Sequence, residues 1–143
     1  MGGRLMIELI YYSRIATTLE LPEIYKILKQ SLGRNASRQI TGALLFNTRY
    51  FLQVLEGLEA DVDELYKRIQ ADQRHSQVQL ISRLPLIQRR WSQWSMALIT
   101  PGISNQELMR TYCGSEEFTP TELDAENART LMLKLTKLTV PIT

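Results

Sequence analysis

Residues 39–57 read QITGALLFNTRYFLQVLEG, and the rest of the fold can be worked out from this segment. The pattern predicts two strands, Gln39–Phe46 and Tyr50–Glu56, joined by a short polar turn. Both strands are almost wholly apolar, which indicates that other elements cover both faces of the hairpin. We therefore place this hairpin at the centre of the predicted domain.

Two residues do not suit an apolar hairpin. Gln53 lies between Leu52 and Val54, and its carboxamide carries donors and an acceptor that need partners once water is excluded. Gly42 lies inside the first strand, where a glycine often marks close approach by another group. Taken alone, the pair is explained most simply by a core glutamine bonded to backbone and a glycine at a bulge.

The composition is that of one ordinary globular domain with a real core. The chain has 143 residues, of which 44% are hydrophobic and 22% charged, and its formal charge is +2. Lysine and arginine are spread along the chain apart from Arg89-Arg90, for which we predict a solvated turn. This spread argues against a dedicated nucleic-acid surface.

The cysteine and histidine content limits the chemistry further. Cys113 is the only cysteine and His75 the only histidine. An internal disulfide is excluded, a reducing compartment is indicated, and a zinc site or a Cys/His nucleophile lacks its parts. The sequence has no signal peptide and no long apolar span, so we expect a cytoplasmic protein without membrane contact.

Strands and helices alternate on either side of the hairpin. The patterns predict strands at Arg4–Ser13, Val78–Ile87 and Trp91–Ile99, and helices at Leu21–Leu32 and Glu59–Ala71. Asp61 and Glu64 have the spacing of a capping box for the second of these helices. The order β-α-β-β-α-β matches the ferredoxin-like plan.

Alternation along the first strand assigns its side chains to two faces. Leu9, Tyr11 and Ser13 share one face, and Ile10 and Tyr12 the other. The first and third strands are central neighbours in this plan, so Tyr11 and Gln53 come within reach of each other on the helix side.

The C-terminal part of the chain predicts two more helices. One runs from Ser104 to about Tyr112, Pro120 stands where a new helix can begin, and a second apolar stripe follows. The stripe consists of Ala128, Leu131, Met132, Leu135 and Leu138. These helices must bury their apolar faces on the bare side of the sheet or on a partner subunit. The predicted class is α+β, with a five-stranded mixed sheet, two helices on one face and two C-terminal helices.

Six motifs, in this order, resemble the BLUF family of flavin-binding blue-light sensors. They are Leu9-Ile10-Tyr11, Arg34-Asn35, Ile40-Thr41-Gly42, the segment from Phe51 to Gly57, the segment from Asp72 to His75, and Trp94-Ser95-Met96. The resemblance runs from about Leu5 to Ile99, and residues 104–138 resemble the extra helices of short, stand-alone PixD-type members. It implies a photosensor domain at residues 1–100 and a C-terminal extension at residues 101–143.

The resemblance also implies roles for individual residues. Tyr11 and Gln53 correspond to the photoactive pair, and Trp94 and Met96 to residues that exchange places near the glutamine. The implied flavin-binding residues are Ser31, Arg34, Asn35, Gln53, Arg68, Asp72, Arg74 and His75. Arg34 stands where many members carry Asn or His, and Gly33 precedes it where a longer side chain is expected.

Several of these residues also have ordinary structural explanations. Arg68 and Asp72, four residues apart, have the spacing of a solvated ion pair. Asn35 suits a helix C-cap, and Trp94 and Met96 are common core residues on a strand.

The function implied by the resemblance is blue-light sensing by a non-covalently bound flavin, FAD in the first instance, with FMN or riboflavin as alternatives. Tyr11 gives an electron and a proton toward the excited flavin and regains both. Gln53 is left rotated or tautomerised, and strand five and the C-terminal helices pass the signal on. The resemblance further implies a homo-oligomer, a ring-shaped decamer in PixD-type members, and a response-regulator-like partner. No substrate is turned over, so no enzyme activity is expected.

Other functions on the same plan have weaker support. An RNA-recognition module needs aromatic and basic residues on its third strand, which here reads FLQVLEG. An acyl-phosphate hydrolase needs a phosphate-binding loop, of which Arg34-Asn35 is a weak sign. The alternative to a photoreceptor is a non-photoactive ferredoxin-like module that binds a protein or a ligand, and bound flavin separates the two.

Overall fold

The computed structural model describes residues 5–16, 20, 22–24, 26, 28–29, 38–92, 97–99, 106–115 and 117–137. Its centre is a five-stranded sheet, as predicted. The strands are β1 (Met6–Ile15), β2 (Thr41–Phe46), β3 (Tyr50–Leu58), β4 (His75–Pro85) and β5 (Ala97–Ile99). Their order is β4-β1-β3-β2-β5, and β5 runs parallel to β2 while the other pairs are antiparallel.

Helix α1 (Glu59–Ala71) has the predicted bounds, but the predicted capping box is wrong. The N-cap is Leu58, which places Asp61 and Glu64 inside the helix. The first backbone N–H, that of Glu59, donates instead to the carbonyl of Leu5 at 2.9 Å. Within the helix predicted over 21–32, the described residues 22–24, 26, 28 and 29 are helical.

The C-terminal elements are helix α2 (Gln106–Cys113), a 3₁₀ turn (Pro120–Glu122) and helix α3 (Ala125–Thr136). Asp124 caps α3, because its carboxylate accepts the backbone N–H of Asn127 at 2.8 Å. Pro120 therefore begins a short turn rather than the long helix.

The sheet separates two apolar layers. The front face carries Tyr11 and Gln53, and it is covered by α1 and by Ile24 and Leu28 of the earlier helical segment. The back face carries Ile10 and Val54, and α2 and α3 pack on it. The two C-terminal helices thus bury their apolar stripes on the sheet of their own chain, which was one of the two predicted alternatives.

The bounds of every strand differ from the predicted ones. Strands β1 and β3 end two residues later than predicted, and β2 begins two residues later. Strand β4 begins at His75 and ends at Pro85, three and two residues before the predicted limits. Trp91, predicted to open the fifth strand, lies in a bend, and the described part of β5 begins at Ala97. The backbone N–H of Trp91 donates to the Glu56 carboxylate at 3.0 Å, so a side chain takes the place of a strand partner.

Gly42 is required by close approach of the neighbouring strand. Its φ is +154°, and a Cβ atom added there would lie 1.8 Å from the carbonyl oxygen of Val54. Only glycine fits at that distance. The hairpin can therefore close tightly beside Gln53.

Candidate functional site

Tyr11 and Gln53 meet on the front face, as alternation along the strands predicts. They are cross-strand partners on β1 and β3, and the Tyr11 hydroxyl donates to Gln53 Oε1 at 2.5 Å. Tyr11 is 1% and Gln53 8% exposed. A phenol and a carboxamide are thus held together in a largely dry interior.

The surroundings of Tyr11 keep its phenol protonated. Burial raises the pKa of Tyr11 well above its ordinary value, and the nearby Tyr66 and Asp72 raise it further. The ring centroid of Tyr66 on α1 lies 5.6 Å away, and that of His75 lies 6.4 Å away. The hydroxyl therefore acts as a hydrogen-bond donor to Gln53 over the ordinary pH range.

His75 extends the polar site along β1. Its Nδ1 lies 2.7 Å from the hydroxyl of the buried Ser13, and its ring lies 5.0 Å from that of Phe51. Burial lowers the pKa of His75, opposed by the Asp72 carboxylate and reinforced by Arg74. Sequence reasoning assigned no role to Ser13, although its place two residues after Tyr11 on the same face was a sufficient signal.

Arg74 and Asp72 form an ion pair where α1 ends. Arg74 Nη2 lies 2.6 Å from Asp72 Oδ2, and Nε donates to Oδ1 at 3.0 Å. The hydrogen bond from Arg74 lowers the pKa of Asp72. Both side chains stand beside His75, which begins β4.

Arg68 has a different partner from the one its spacing suggests. Its guanidinium binds Glu64 at 2.8 Å, and the side chain is 52% exposed. The predicted i, i+4 ion pair with Asp72 is absent, because Asp72 is already bound by Arg74.

Five of the predicted site residues lie outside the residues that the structure describes. They are Ser31, Arg34, Asn35, Trp94 and Met96. Their predicted roles, in flavin binding for the first three and in switching for the last two, stay predictions.

Within the described ranges, no three His, Cys, Asp or Glu side chains are grouped so that they can hold a metal ion. No described helix is both long enough and apolar enough to cross a bilayer.

The chemistry of the front face fits a flavin. Apolar side chains from the sheet, from α1 and from the described residues of the earlier helical segment surround the tyrosine–glutamine pair, among them Leu9, Ile24, Leu28, Phe51, Leu55 and Val62. A flavin is a flat, largely apolar ring whose polar edge offers an acceptor beside a donor. The carboxamide of Gln53 carries both kinds of group, so it can meet such an edge.

Comparisons with known proteins agree with this chemistry. A family model described as BLUF, sensors of blue-light using FAD, matches residues 6–97. Subunit beta of the photoactivated adenylate cyclase of Euglena gracilis is 31% identical over 112 residues, which are 78% of this chain and 12% of that protein. The chain thus spans about an eighth of the length of this curated relative.

Two solved structures have the same fold. The dark-state structure of BlrB, a BLUF protein, is 27% identical, with a TM-score of 0.76 over 94% of this chain and 98% of that one. Photo-activated BlsA, at 24% identity, has a TM-score of 0.83 over 96% and 99% of the two chains, and this likeness concerns the fold alone. The chain belongs to the BLUF family, and it senses blue light through its flavin cofactor, FAD.

Proposed function

We propose that Tyr11 and Gln53 carry the photochemistry of this sensor. The observation that supports the proposal is the 2.5 Å hydrogen bond between their buried side chains. The bond joins an oxidisable phenol to an amide that can rotate or change its tautomer. A light-driven change can therefore be stored in it without any covalent bond being made to the protein.

Bound FAD supplies the absorption of blue light and, once excited, a strong electron acceptor. Tyr11 then gives up one electron. An oxidised phenol is a strong acid, so the proton of Tyr11 leaves along its hydrogen bond to Gln53 Oε1. Electron and proton both return to Tyr11, and the Gln53 amide remains rotated or tautomerised, with a changed hydrogen-bond pattern around it.

Burial makes this proton transfer depend on light. The pKa of Tyr11 is raised mainly because its phenolate would be poorly solvated. The proton therefore stays on Tyr11 until the electron has been removed. Low solvent access also slows exchange of the transferred proton with water.

The residues that hold the flavin form the second part of the proposal. We assign this role to Ser31, Arg34, Asn35, Gln53, Arg68, Asp72, Arg74 and His75. The position of Asp72, Arg74 and His75 beside one another, next to the front-face pair, supports their share of it. Trp94 and Met96 are proposed as the residues that exchange places when Gln53 changes.

The chain is proposed to act as a sensor rather than as an enzyme. Residues 1–100 form the photosensor, and residues 101–143 form the extension that passes the signal to a partner or to an oligomer interface. The packing of α2 and α3 on the back of the strands that carry Tyr11 and Gln53 supports this route. A homo-oligomer, such as a ring-shaped decamer, a response-regulator-like partner and a cytoplasmic location complete the proposal.

The test is an absorption spectrum of the purified protein in the dark, under blue light and during dark recovery. We expect a flavin spectrum that shifts slightly to the red and returns. Tyr11→Phe and Gln53→Ala should each abolish the shift while flavin stays bound. Tyr12→Phe is the matched control, because Tyr12 is the next residue on β1 but packs on the back face.

The same experiment can contradict the proposal in two ways. A normal shift in Tyr11→Phe or Gln53→Ala would show that other residues carry the photochemistry. Flavin that stays bound in the native chain but does not respond to light would remove the proposed mechanism altogether.

A further inference from the structure

A second polar pair lies on the same two strands as Tyr11 and Gln53, but on the back face. Glu8 and Glu56 are cross-strand partners on β1 and β3, and they are 2% and 0% exposed. Each stands three residues from its front-face counterpart, and an odd separation puts side chains on opposite faces. Two buried carboxylates side by side require cations or hydrogen-bond donors.

Glu8 is bound from two separate parts of the chain. Arg129 of α3 lies 2.6 Å from Glu8 Oε1 through Nη2 and also donates through Nε at 3.0 Å. Arg90, which follows β4, donates from Nη1 to Glu8 Oε2 at 2.7 Å. One buried carboxylate therefore ties the first strand both to the last helix and to the segment after β4.

Glu56 binds the same segment through its backbone. Its carboxylate accepts the N–H groups of Arg90 at 2.8 Å and Trp91 at 3.0 Å. The guanidinium of Arg89 donates to the carbonyl of Glu56 at 2.9 Å. The turn predicted at Arg89-Arg90 is thus attached to the sheet. The prediction that it is solvated holds for the Arg90 side chain, which is 41% exposed, while that of Arg89 is half-buried.

Trp91 carries the connection on to α3. Its indole Nε1 donates to the Thr136 hydroxyl at 3.0 Å, and that hydroxyl donates to the carbonyl of Met132. Helix α3 is therefore held to the sheet near its start by Arg129 and at its end by Thr136. Both attachments lead back to the Glu8–Glu56 pair.

We propose that the Glu8–Arg129 ion pair transmits the state of the Tyr11–Gln53 pair to helix α3. This inference rests on the proposed function and names the residues of its output step. The two polar pairs are about 10 Å apart along β1. A change in the hydrogen bond between Tyr11 and Gln53 alters how β1 and β3 are held together. The bidentate contact between Arg129 and Glu8 of β1 responds to that change because it has a narrow range of good geometry.

Coupling of this kind works in both directions. If the front-face pair alters the hold of Glu8 on α3, then loosening that hold must alter the relative stability of the two front-face states. Arg129 is thus a positioning residue. It affects the dark recovery of the spectrum although it contacts none of the front-face residues described above.

The experiment uses the full-length, flavin-loaded protein. Hydrogen exchange of residues 125–136 is measured in the dark and under blue light, together with the rate of dark recovery. We expect light to change exchange in α3 of the native chain. Arg129→Gln should keep the flavin and the red shift, lose the light-dependent difference in α3, and change the rate of dark recovery by up to the equilibrium coupling factor, on the order of fivefold.

Two further variants make the test specific. Glu8→Gln should act in the same direction, and the double variant Glu8→Gln/Arg129→Gln should differ little from either single one, because the two residues act as a pair. Arg83→Gln is the matched control. Arg83 makes equally close contacts, to Asp63 at 2.7 Å and Glu59 at 2.8 Å, but it joins β4 to α1 and not to α3. It should recover at the native rate.

Each outcome bears on one proposal. A red shift without any light-dependent change in α3 overturns this inference and leaves the photochemistry intact. Native exchange and recovery in Arg129→Gln also overturn it, and so does an equal effect of Arg83→Gln. Absence of the red shift in the native chain defeats the proposed function itself. If Arg129→Gln does not fold, Arg129→Lys carries the test, since it keeps the charge but loses the bidentate contact.

Discussion

At the scale of single residues, the front-face site combines a phenol that cannot ionise with an imidazole that resists protonation. Burial is the main cause of both effects, since it raises the pKa of Tyr11 and lowers that of His75. Both side chains therefore remain neutral in the dark. With both side chains neutral, the proposed electron transfer from Tyr11 is the first step that changes the charge on either of them.

The lowered pKa of His75 predicts a loss of stability in mild acid. Below pH 6.5 the unfolded chain binds a proton on this residue while the folded chain resists it, so stability is present above that pH and falls as the pH drops toward the folded-state pKa. The slope is at most about 1.4 kcal/mol per pH unit. Urea unfolding between pH 7 and about pH 5 should show this fall in the native chain.

His75→Gln is the comparison for that measurement. Glutamine does not titrate and can still bond Ser13, and His75 is the only histidine, so the variant removes this slope alone. Parallel stability curves for the two proteins would contradict the prediction. The ring protons of His75 provide a second readout by NMR, with a midpoint expected below 6.5.

At the scale of elements, the β2–β3 hairpin depends on one glycine. Gly42→Ala places a methyl group 1.8 Å from the Val54 carbonyl oxygen at a φ of +154°. We expect it to cost about 3 kcal/mol or more of the free energy of unfolding, because backbone and not a movable side chain blocks the position. Urea unfolding followed by circular dichroism measures the loss.

Gly57→Ala in the same hairpin is the control. A Cβ there meets Val62, Gln39 and Ile40 at 3.4 to 3.5 Å, which is ordinary contact. We expect stability within about 1 kcal/mol of the native chain. Equal losses for the two variants would show that the clash at Gly42 is relieved by a small backbone shift.

The elements that were predicted well are those whose local pattern agrees with their packing. Helix α1 has a regular apolar stripe and was predicted to the residue, and the face of Tyr11 followed from strict alternation. The contacts of Arg89, Arg90 and Trp91 were not predicted, for the opposite reason. Their partners, Glu8 and Glu56, are more than thirty residues away in sequence, and no local sequence pattern predicts a contact over that separation.

At the scale of the whole molecule, one sheet serves two cores. The front core holds the proposed photochemical pair, and the back core holds the C-terminal helices. The resemblance to known sensors could supply the predicted site residues, but the attachment of α3 through Glu8 depends on how the chain folds back on itself. This attachment of α3 can be identified only from the three-dimensional structure, in which both layers are packed on the sheet.

Because the two cores lie on opposite faces of the sheet, we expect that the back core can be weakened without release of the flavin from the front face. Leu131 on α3 is fully buried in the back core. Leu131→Ala should lower the free energy of unfolding by about 3 kcal/mol through the cavity it leaves. The folded fraction should keep its flavin, measured by the absorbance that stays with the protein after gel filtration.

Leu133→Ala on the same helix is the matched control, because Leu133 is only partly buried against that core. We expect a loss of about 1 kcal/mol. Release of flavin from folded Leu131→Ala would show that flavin binding on the front face requires an intact back core.

The two polar pairs on β1 and β3 also matter while the chain is folding. These strands are apolar on both faces over most of their length. Hydrophobic contacts alone therefore favour no single pairing register of β1 and β3 strongly. A slip of one residue would bury Glu8 against the wrong layer and separate Tyr11 from Gln53. The residues proposed to detect light and report it therefore also penalise misaligned pairing of the two central strands.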